Sequence, residues 1–400
     1  MSAAMIAAAR CSLAATTRRH AARRLLSTVS RCEPRFMELT TTKGRSLQIP
    51  IVNLMDFGKD AAADDAIAQQ WGRALHEFGF ALVDNTAVDG AAAALERSVR
   101  AFCAQPLDVK RQYQLTENYK WGYGHPGQIA VSHGSTIQRR NADATETLTL
   151  PVLSEKIDEL AEEIIPHPRF SDATNGRCID YADPSLREGF VTYRRLCEAV
   201  LLPRALDATA RYFGMGDDYF RSAAGGFVSS AEDDRMSGAA AMNCFGRIAV
   251  NHYLPRWSND QLEYGEHTDT SLFTFVRRSG PNGLQFLCDD GDDGEWIDLP
   301  YHERLLVVNA GDTAARLTNG HWRAVPHRVG APESGGVTAL TAASGGVTPL
   351  TISYFAQPHD DHVLEPLPSL RIEQRLRPQF LPTLTSGGLR EAKTNNMREG

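Results

Sequence analysis

An α+β chain with a mainly β core, an antiparallel barrel or jelly roll braced by helices, is the fold class this sequence predicts, on three observations. From Ala240 onward the chain breaks into short β-rich runs separated by Gly, Asp, Asn and Pro clusters, the texture of antiparallel strands joined by tight turns. The N-terminal half instead carries apolar residues at helical spacings. Four hundred residues with 42% hydrophobic content suffice to bury a large core between the two.

Residues 1–32 contain no acidic residue, yet carry Arg10, Arg18, Arg19, Arg23, Arg24 and Arg31 among Ala, Ser, Thr and Leu. That is the make-up of an organelle transit peptide rather than of a folded element, and it predicts import into the mitochondrial matrix. A plastid address, or a cytoplasmic protein with a disordered N-terminus, is the alternative.

Beyond it, Asp64 can cap a helix in which Ile67, Trp71, Leu75 and Phe78 make one apolar face. Gly79 ends that helix and a short apolar strand follows. A second helix is expected from Gly90 to Ala104, with Leu95, Val99 and Phe102 on one side and Pro106 as its stop. Leu186 to Phe213 is helical by periodicity, with Pro203 expected to break or kink it. Residues 384–400 are polar and patternless, which predicts a mobile tail. Ser334-Gly335-Gly336-Val337-Thr338-Ala339-Leu340-Thr341 recurs ten residues later as Ser344-Gly345-Gly346-Val347-Thr348-Pro349-Leu350-Thr351, a local duplication rather than a solenoid.

Composition excludes several classes. A net charge of −7 and a pI near 6.0 argue against a nucleic-acid binder. No apolar run approaches the roughly 18 residues of a membrane span. Seven scattered cysteines without C-x-x-C spacing suit reduced thiols better than a disulfide framework.

The chemistry concentrates in His267-Thr268-Asp269 and His327. Two imidazoles and one carboxylate form the set that holds non-haem Fe(II) on one face of its octahedron and leaves the other positions open. On a β-strand, alternation would send His267 and Asp269 to the same face, with His327 arriving from a distant strand. The same three groups could build a hydrolytic Zn(II) site, although no obvious general base accompanies them. A surface His beside a turn-capping Asp is the plain alternative for the pair alone.

The surroundings extend the pattern. Gly283-Leu284-Gln285-Phe286, Trp296, Asn309-Ala310-Gly311-Asp312, Leu317-Thr318-Asn319-Gly320 and His327-Arg328-Val329 follow the pair in order. Upstream lie Ile49-Pro50-Ile51-Val52-Asn53-Leu54, Phe78-Gly79-Phe80-Ala81-Leu82-Val83, Lys120-Trp121-Gly122-Tyr123 and Asn251-His252-Tyr253-Leu254-Pro255. From Ile49 to Pro358 the chain therefore resembles the iron- and 2-oxoglutarate-dependent dioxygenases of the isopenicillin N synthase-like group. The resemblance implies an N-terminal region over 47–165, bracing helices and a connector over 184–235, and an Fe(II)-binding double-stranded β-helix over 240–365. It implies a small-molecule substrate oxidised with O2 and 2-oxoglutarate, releasing succinate and CO2, and His267, Asp269 and His327 as metal ligands. Tyr253, Thr351 and Asn251 fall at positions suited to contacting the cosubstrate.

One position departs from the pattern. The family grips the remote carboxylate of 2-oxoglutarate with Arg-x-Ser after the last His, and aligning Ile352-Ser353-Tyr354-Phe355 with the following strand places Thr351 at the Ser and Pro349 at the Arg. Proline has neither charge nor donor. Another cation (Arg247, Arg277 or Arg328) takes over, or the oxidation needs no 2-oxoglutarate, or the protein is a silent binding module. Of the other histidines, His252 and His321 are expected in structural or surface roles, and His302, His359 and His362 lack a supporting pattern.

Overall fold

The computed structural model describes residues 35–41, 43–84, 86–113, 122–126, 143–151, 184–216, 219–221, 247–254, 264–288, 294–330, 346–358, 362–370, 380 and 382–399. The expected transit segment 1–32, Lys120, Trp121, His359 and the first copy of the duplicated segment lie outside them. Met37–Gly400 forms one compact unit.

In chain order the elements are β1 (Arg35–Thr40), β2 (Ser46–Val52), α1 (Ala61–Glu77), β3 (Phe80–Asp84), α2 (Asp89–Cys103), β4 (Gly122–Gly124), β5 (Thr145–Pro151), α3 (Pro184–Leu196), α4 (Leu202–Tyr212), β6 (Arg247–Tyr253), β7 (Tyr264–His267), β8 (Phe273–Arg278), β9 (Leu284–Cys288), β10 (Glu295–Asp298), β11 (Leu305–Ala310), α5 (Asp312–Leu317), β12 (His327–Val329), β13 (Leu350–Ala356) and α6 (Ser386–Glu399). A nine-stranded sheet runs β1-β2-β3-β11-β8-β13-β6-β5-β4, and a four-stranded sheet runs β10-β9-β12-β7. From β6 to β13 the chain passes back and forth between the two sheets, which is the double-stranded β-helix.

Alternation along the strands builds two cores. Leu350, Ile352 and Tyr354 of β13 join Phe273 and Phe275 of β8 against Trp71, Leu95, Val99 and Phe102 of the helices. On the other face, Tyr253, Phe80, Leu82 and Val307 of the large sheet meet Leu284, Phe286, Ile297 and Val329 of the small one.

The helices follow the sequence pattern with one correction. Asp60, not Asp64, caps α1, its carboxylate accepting from the Ala62 and Ala63 amides. Asp64 is buried and accepts the Gly58 amide at 2.7 Å, closing the loop before the helix. Gly79, at φ +76°, turns the chain into β3, and a Cβ there would lie 2.7 Å from the Val325 Cβ. The interruption expected at Pro203 falls just ahead of it, and Pro203 itself stands in the first turn of α4. A π-helical turn, Cys197–Leu201, joins α3 to α4.

A second correction concerns 384–400. The segment is not a loose tail: Ser386–Glu399 is helical, Ser386 and Leu389 are buried, and the Ser386 amide donates to the His362 carbonyl at 2.9 Å.

Candidate functional site

β7 and β12 are antiparallel neighbours, and their register sets His327 directly opposite His267. Side chains so paired stand about 5 Å apart at Cβ, and the two imidazole centroids are 4.3 Å apart. Asp269 arrives differently from the expected strand alternation, because β7 ends at His267. The loop after it is held by backbone bonds from Asp312 N to Asp269 O (2.7 Å) and from Gly311 N to Leu272 O (3.2 Å). A Cβ at Gly311 would lie 2.1 Å from the Ser271 oxygen and 2.8 Å from that of Asp269, so only glycine admits this approach. Asn309 then donates its side-chain amide to Asp269 Oδ2 at 2.7 Å. Asn309-Ala310-Gly311-Asp312 is thus the support of the aspartate.

One donor atom from each of His267, Asp269 and His327 lies within 4.8 Å of the others. His267 Nε2 is 3.6 Å from Asp269 Oδ1 and His327 Nε2 is 3.8 Å from Oδ2. Each ring donates its Nδ1 hydrogen to a main-chain carbonyl, His267 to Gly265 at 2.7 Å and His327 to Val325 at 3.1 Å. A carbonyl can only accept, so this fixes the tautomer that leaves both Nε2 lone pairs facing the carboxylate. Burial, reinforced by His267 and opposed by Asp269, lowers His327 to about 4, so its ring is neutral near pH 7. Burial alone would raise Asp269, but the two imidazoles and a bond from Thr274 hold it well below the usual carboxylate range. The result is two imidazole nitrogens, the His327 ring neutral, and one carboxylate, a donor set that fits a divalent first-row metal such as Fe(II). Phe286, 5.4 Å from His327, and Tyr264, 5.1 Å from His267, wall the cluster.

Lys393 of α6 completes the surroundings. Its ammonium donates to the Thr268 carbonyl (2.5 Å) and hydroxyl (2.7 Å) and pairs with Asp312. The residue between two of the three donors is therefore tied to the C-terminal helix.

The candidate cosubstrate residues lie along the inner face of the large sheet. Tyr253 and Thr351 share a hydrogen bond of 2.8 Å between their hydroxyls, and Asn251 sits opposite Thr351 in the β13–β6 ladder, its amide oxygen accepting from Thr147. Pro349 faces Gly280, and its carbonyl accepts the Tyr253 amide at 3.2 Å. None of the three arginines expected to replace the missing cation stands there. Arg247 is opposite Phe355, at the other end of β13, with its guanidinium 4.2 Å over that ring. Arg277 turns outward to Asp89 at 2.7 Å. Arg328 lies 3.9 Å over Trp296 and donates to Gln285.

The other histidines are occupied elsewhere. His252 bonds Glu146 Oε2 (3.0 Å) and Thr348 Oγ1 (2.6 Å). Cys103, Glu146 and His252 are also close enough to share a metal, but the Lys110 ammonium already sits on that carboxylate. His321 stacks on His76 at 4.3 Å and bonds the Tyr212 hydroxyl. The His302 ring accepts the Arg304 amide at 3.2 Å, and the His362 carbonyl receives the Ser386 amide.

Similarity to known proteins extends over much of the chain. Residues 244–341 match the 2OG-Fe(II) oxygenase superfamily, and residues 49–169 match the N-terminal region of non-haem dioxygenases in morphine synthesis. Deacetoxyvindoline 4-hydroxylase of Catharanthus roseus is 22% identical over 77% of this chain, the match spanning 66% of that enzyme. A 2-oxoglutarate-Fe(II) type oxidoreductase, ppzC, of Metarhizium rileyi is 27% identical over 70% of this chain and 73% of its own length. Among solved structures, a full-length Neurospora crassa protein in complex with alpha-KG superposes with a TM-score of 0.65 at 20% identity, covering 88% of this chain and 97% of that one.

Proposed function

We propose that this chain, which belongs to the iron- and 2-oxoglutarate-dependent dioxygenases, holds iron on His267, Asp269 and His327 and hydroxylates or oxidises a small organic substrate. Its membership fixes the reaction's components as Fe(II), 2-oxoglutarate and O2. The observation that carries the ligand assignment is the convergence of three donor atoms within 4.8 Å, with both imidazole tautomers set by carbonyls. The sequence is consistent with the isopenicillin N synthase-like group.

Fe(II) held on His267, Asp269 and His327 would supply the oxidising chemistry, in which O2 and 2-oxoglutarate are consumed and succinate and CO2 released. The chain's own residues hold and exclude. Asp269 stays ionised and oriented by Asn309, and His327 stays neutral, so neither ligand needs to change its charge state on loading near pH 7. Phe286 and Tyr264 keep water from one side of the cluster. A small-molecule substrate accords with the Catharanthus hydroxylase, named for its action on deacetoxyvindoline. The wild-type protein with Fe(II) should convert 2-oxoglutarate to succinate in an O2-dependent manner, and His327→Ala should not. Iron retained without any such turnover would contradict the reading.

We further propose a mitochondrial matrix location, from the acid-free, arginine-rich stretch 1–32. A fluorescent fusion should enter mitochondria and lose that address without residues 1–32. A cytosolic signal from the intact chain would reject it.

A further inference from the structure

No lysine or arginine occurs between Arg328 and Arg371, so β13 has no cation of its own for a carboxylate. The neighbouring strand has one at the right height. In the β13–β8 ladder Arg278 stands opposite Thr351, and it is two residues from Val276, which packs in the core between the sheets. Alternation therefore turns Arg278 inward, on the same face as Tyr253 and Thr351. Its neighbour Arg277 turns outward to Asp89.

The surroundings of Arg278 are those of a cation awaiting a partner. It is 3% exposed, and its guanidinium donates to the carbonyls of Leu299 (2.8 Å) and Pro300 (2.5 Å). Among the described residues no carboxylate pairs with it. A buried charge met only by neutral acceptors is costly unless an anion joins it. Burial lowers it to about 10, which leaves it cationic near pH 7. Asn282, in the turn after β8, is fully buried with both amide atoms unpartnered. Burial pushes the Tyr253 phenol up to about 12, against bonds from Thr351 and Asn251 and the charge of Arg278, and so keeps it a neutral donor. At the opposite end of β8, Thr274 bonds the metal-site aspartate. Four residues of strand, roughly 13 Å, separate Thr274 from Arg278. An extended dicarboxylate reaching inward from the metal would run along this line.

We propose that Arg278, from β8, takes the place of the arginine that position 349 lacks and receives the remote carboxylate of 2-oxoglutarate, together with Tyr253, Thr351 and Asn282. The inference rests on 2-oxoglutarate being the cosubstrate, and moves its clamp from β13 to the adjacent strand. Arginine can donate through Nη1 and Nη2 at once, a geometry that suits a carboxylate.

The test is calorimetric binding to the full chain loaded with Mn(II), which avoids turnover. Two ligands are compared: 2-oxoglutarate, and 2-oxobutyrate, which keeps the 2-oxo acid end but finishes in a methyl group. Wild type should prefer 2-oxoglutarate. Arg278→Met should weaken 2-oxoglutarate ~100-fold and leave 2-oxobutyrate unchanged, the latter reporting an intact site. Arg278→Gln, which keeps a donor for the Leu299 and Pro300 carbonyls, should lose the preference too and decides the matter if the methionine variant fails to fold. Arg277→Met should keep it. A preference retained in a folded Arg278→Met or Arg278→Gln protein would overturn the assignment while leaving the cosubstrate in place. No preference in wild type would overturn the cosubstrate reading itself, and this inference with it.

Discussion

Asn309 donates its side-chain amide to Asp269 Oδ2 at 2.7 Å, so the carboxylate is fixed by a strand of the opposite sheet rather than by the strand preceding it. Partners of this kind typically hold a ligand's orientation at a cost of 10- to 100-fold in metal affinity when lost. Asn309→Leu should weaken iron binding by roughly that factor with the fold retained. A competition titration against a chelator measures it, and unchanged affinity would remove Asn309 from the account.

Gly311 allows the start of α5 to press against the metal loop. Gly311→Ala would force the Asp269 and Ser271 carbonyls aside, since its Cβ would lie 2.1 Å from the latter. Its backbone is extended, φ −102°, so the effect is purely one of space. We expect a loss of about 3 kcal/mol or more in urea unfolding, together with loss of iron. Gly90→Ala, a helical position with nothing within 4 Å, should instead be neutral or stabilising by about 0.5 kcal/mol.

Lys393 ties α6 to Thr268 and Asp312. Lys393→Met should cost about 1 kcal/mol in chemical denaturation and raise the iron dissociation rate several-fold. An unaltered iron off-rate would show that α6 does not steady the loop.

Glu146 carries a pH signature apart from the metal. Burial alone would raise it, but bonds from His252, Lys110 and Tyr123 hold it down to about 2, against an ordinary 4.5. A depressed carboxylate contributes stability that is present above its unfolded pKa and lost as pH falls through its folded value. The contribution should therefore fade between about pH 4.5 and 2. Glu146→Gln, which strands the buried Lys110 ammonium, should cost about 3 kcal/mol near pH 7 and progressively less across that interval. A pH-independent difference between variant and wild type would contradict this.

What was legible in the sequence divides along physical lines. His267, Asp269 and His327, which the fold brings within 4.8 Å of one another, stood out because a donor cluster requires particular side-chain types, and the helical faces of α1 and α2 because burial imposes a period. Lys393 did not, since one ammonium on a polar helix leaves no periodic trace. β1 escaped because its pattern is largely exposed. The inward-facing Arg278 escaped for a third reason: opposition to Thr351 is a matter of register between strands far apart in the chain, and composition carries no record of it.

Iron retention by variants of the pair flanking Thr268 tests the central claim most directly. Purified His267→Ala and Asp269→Ala, each folded by circular dichroism, should hold no iron after desalting by atomic emission, while wild type holds one ion per chain. Near-normal iron in either variant would contradict the assignment.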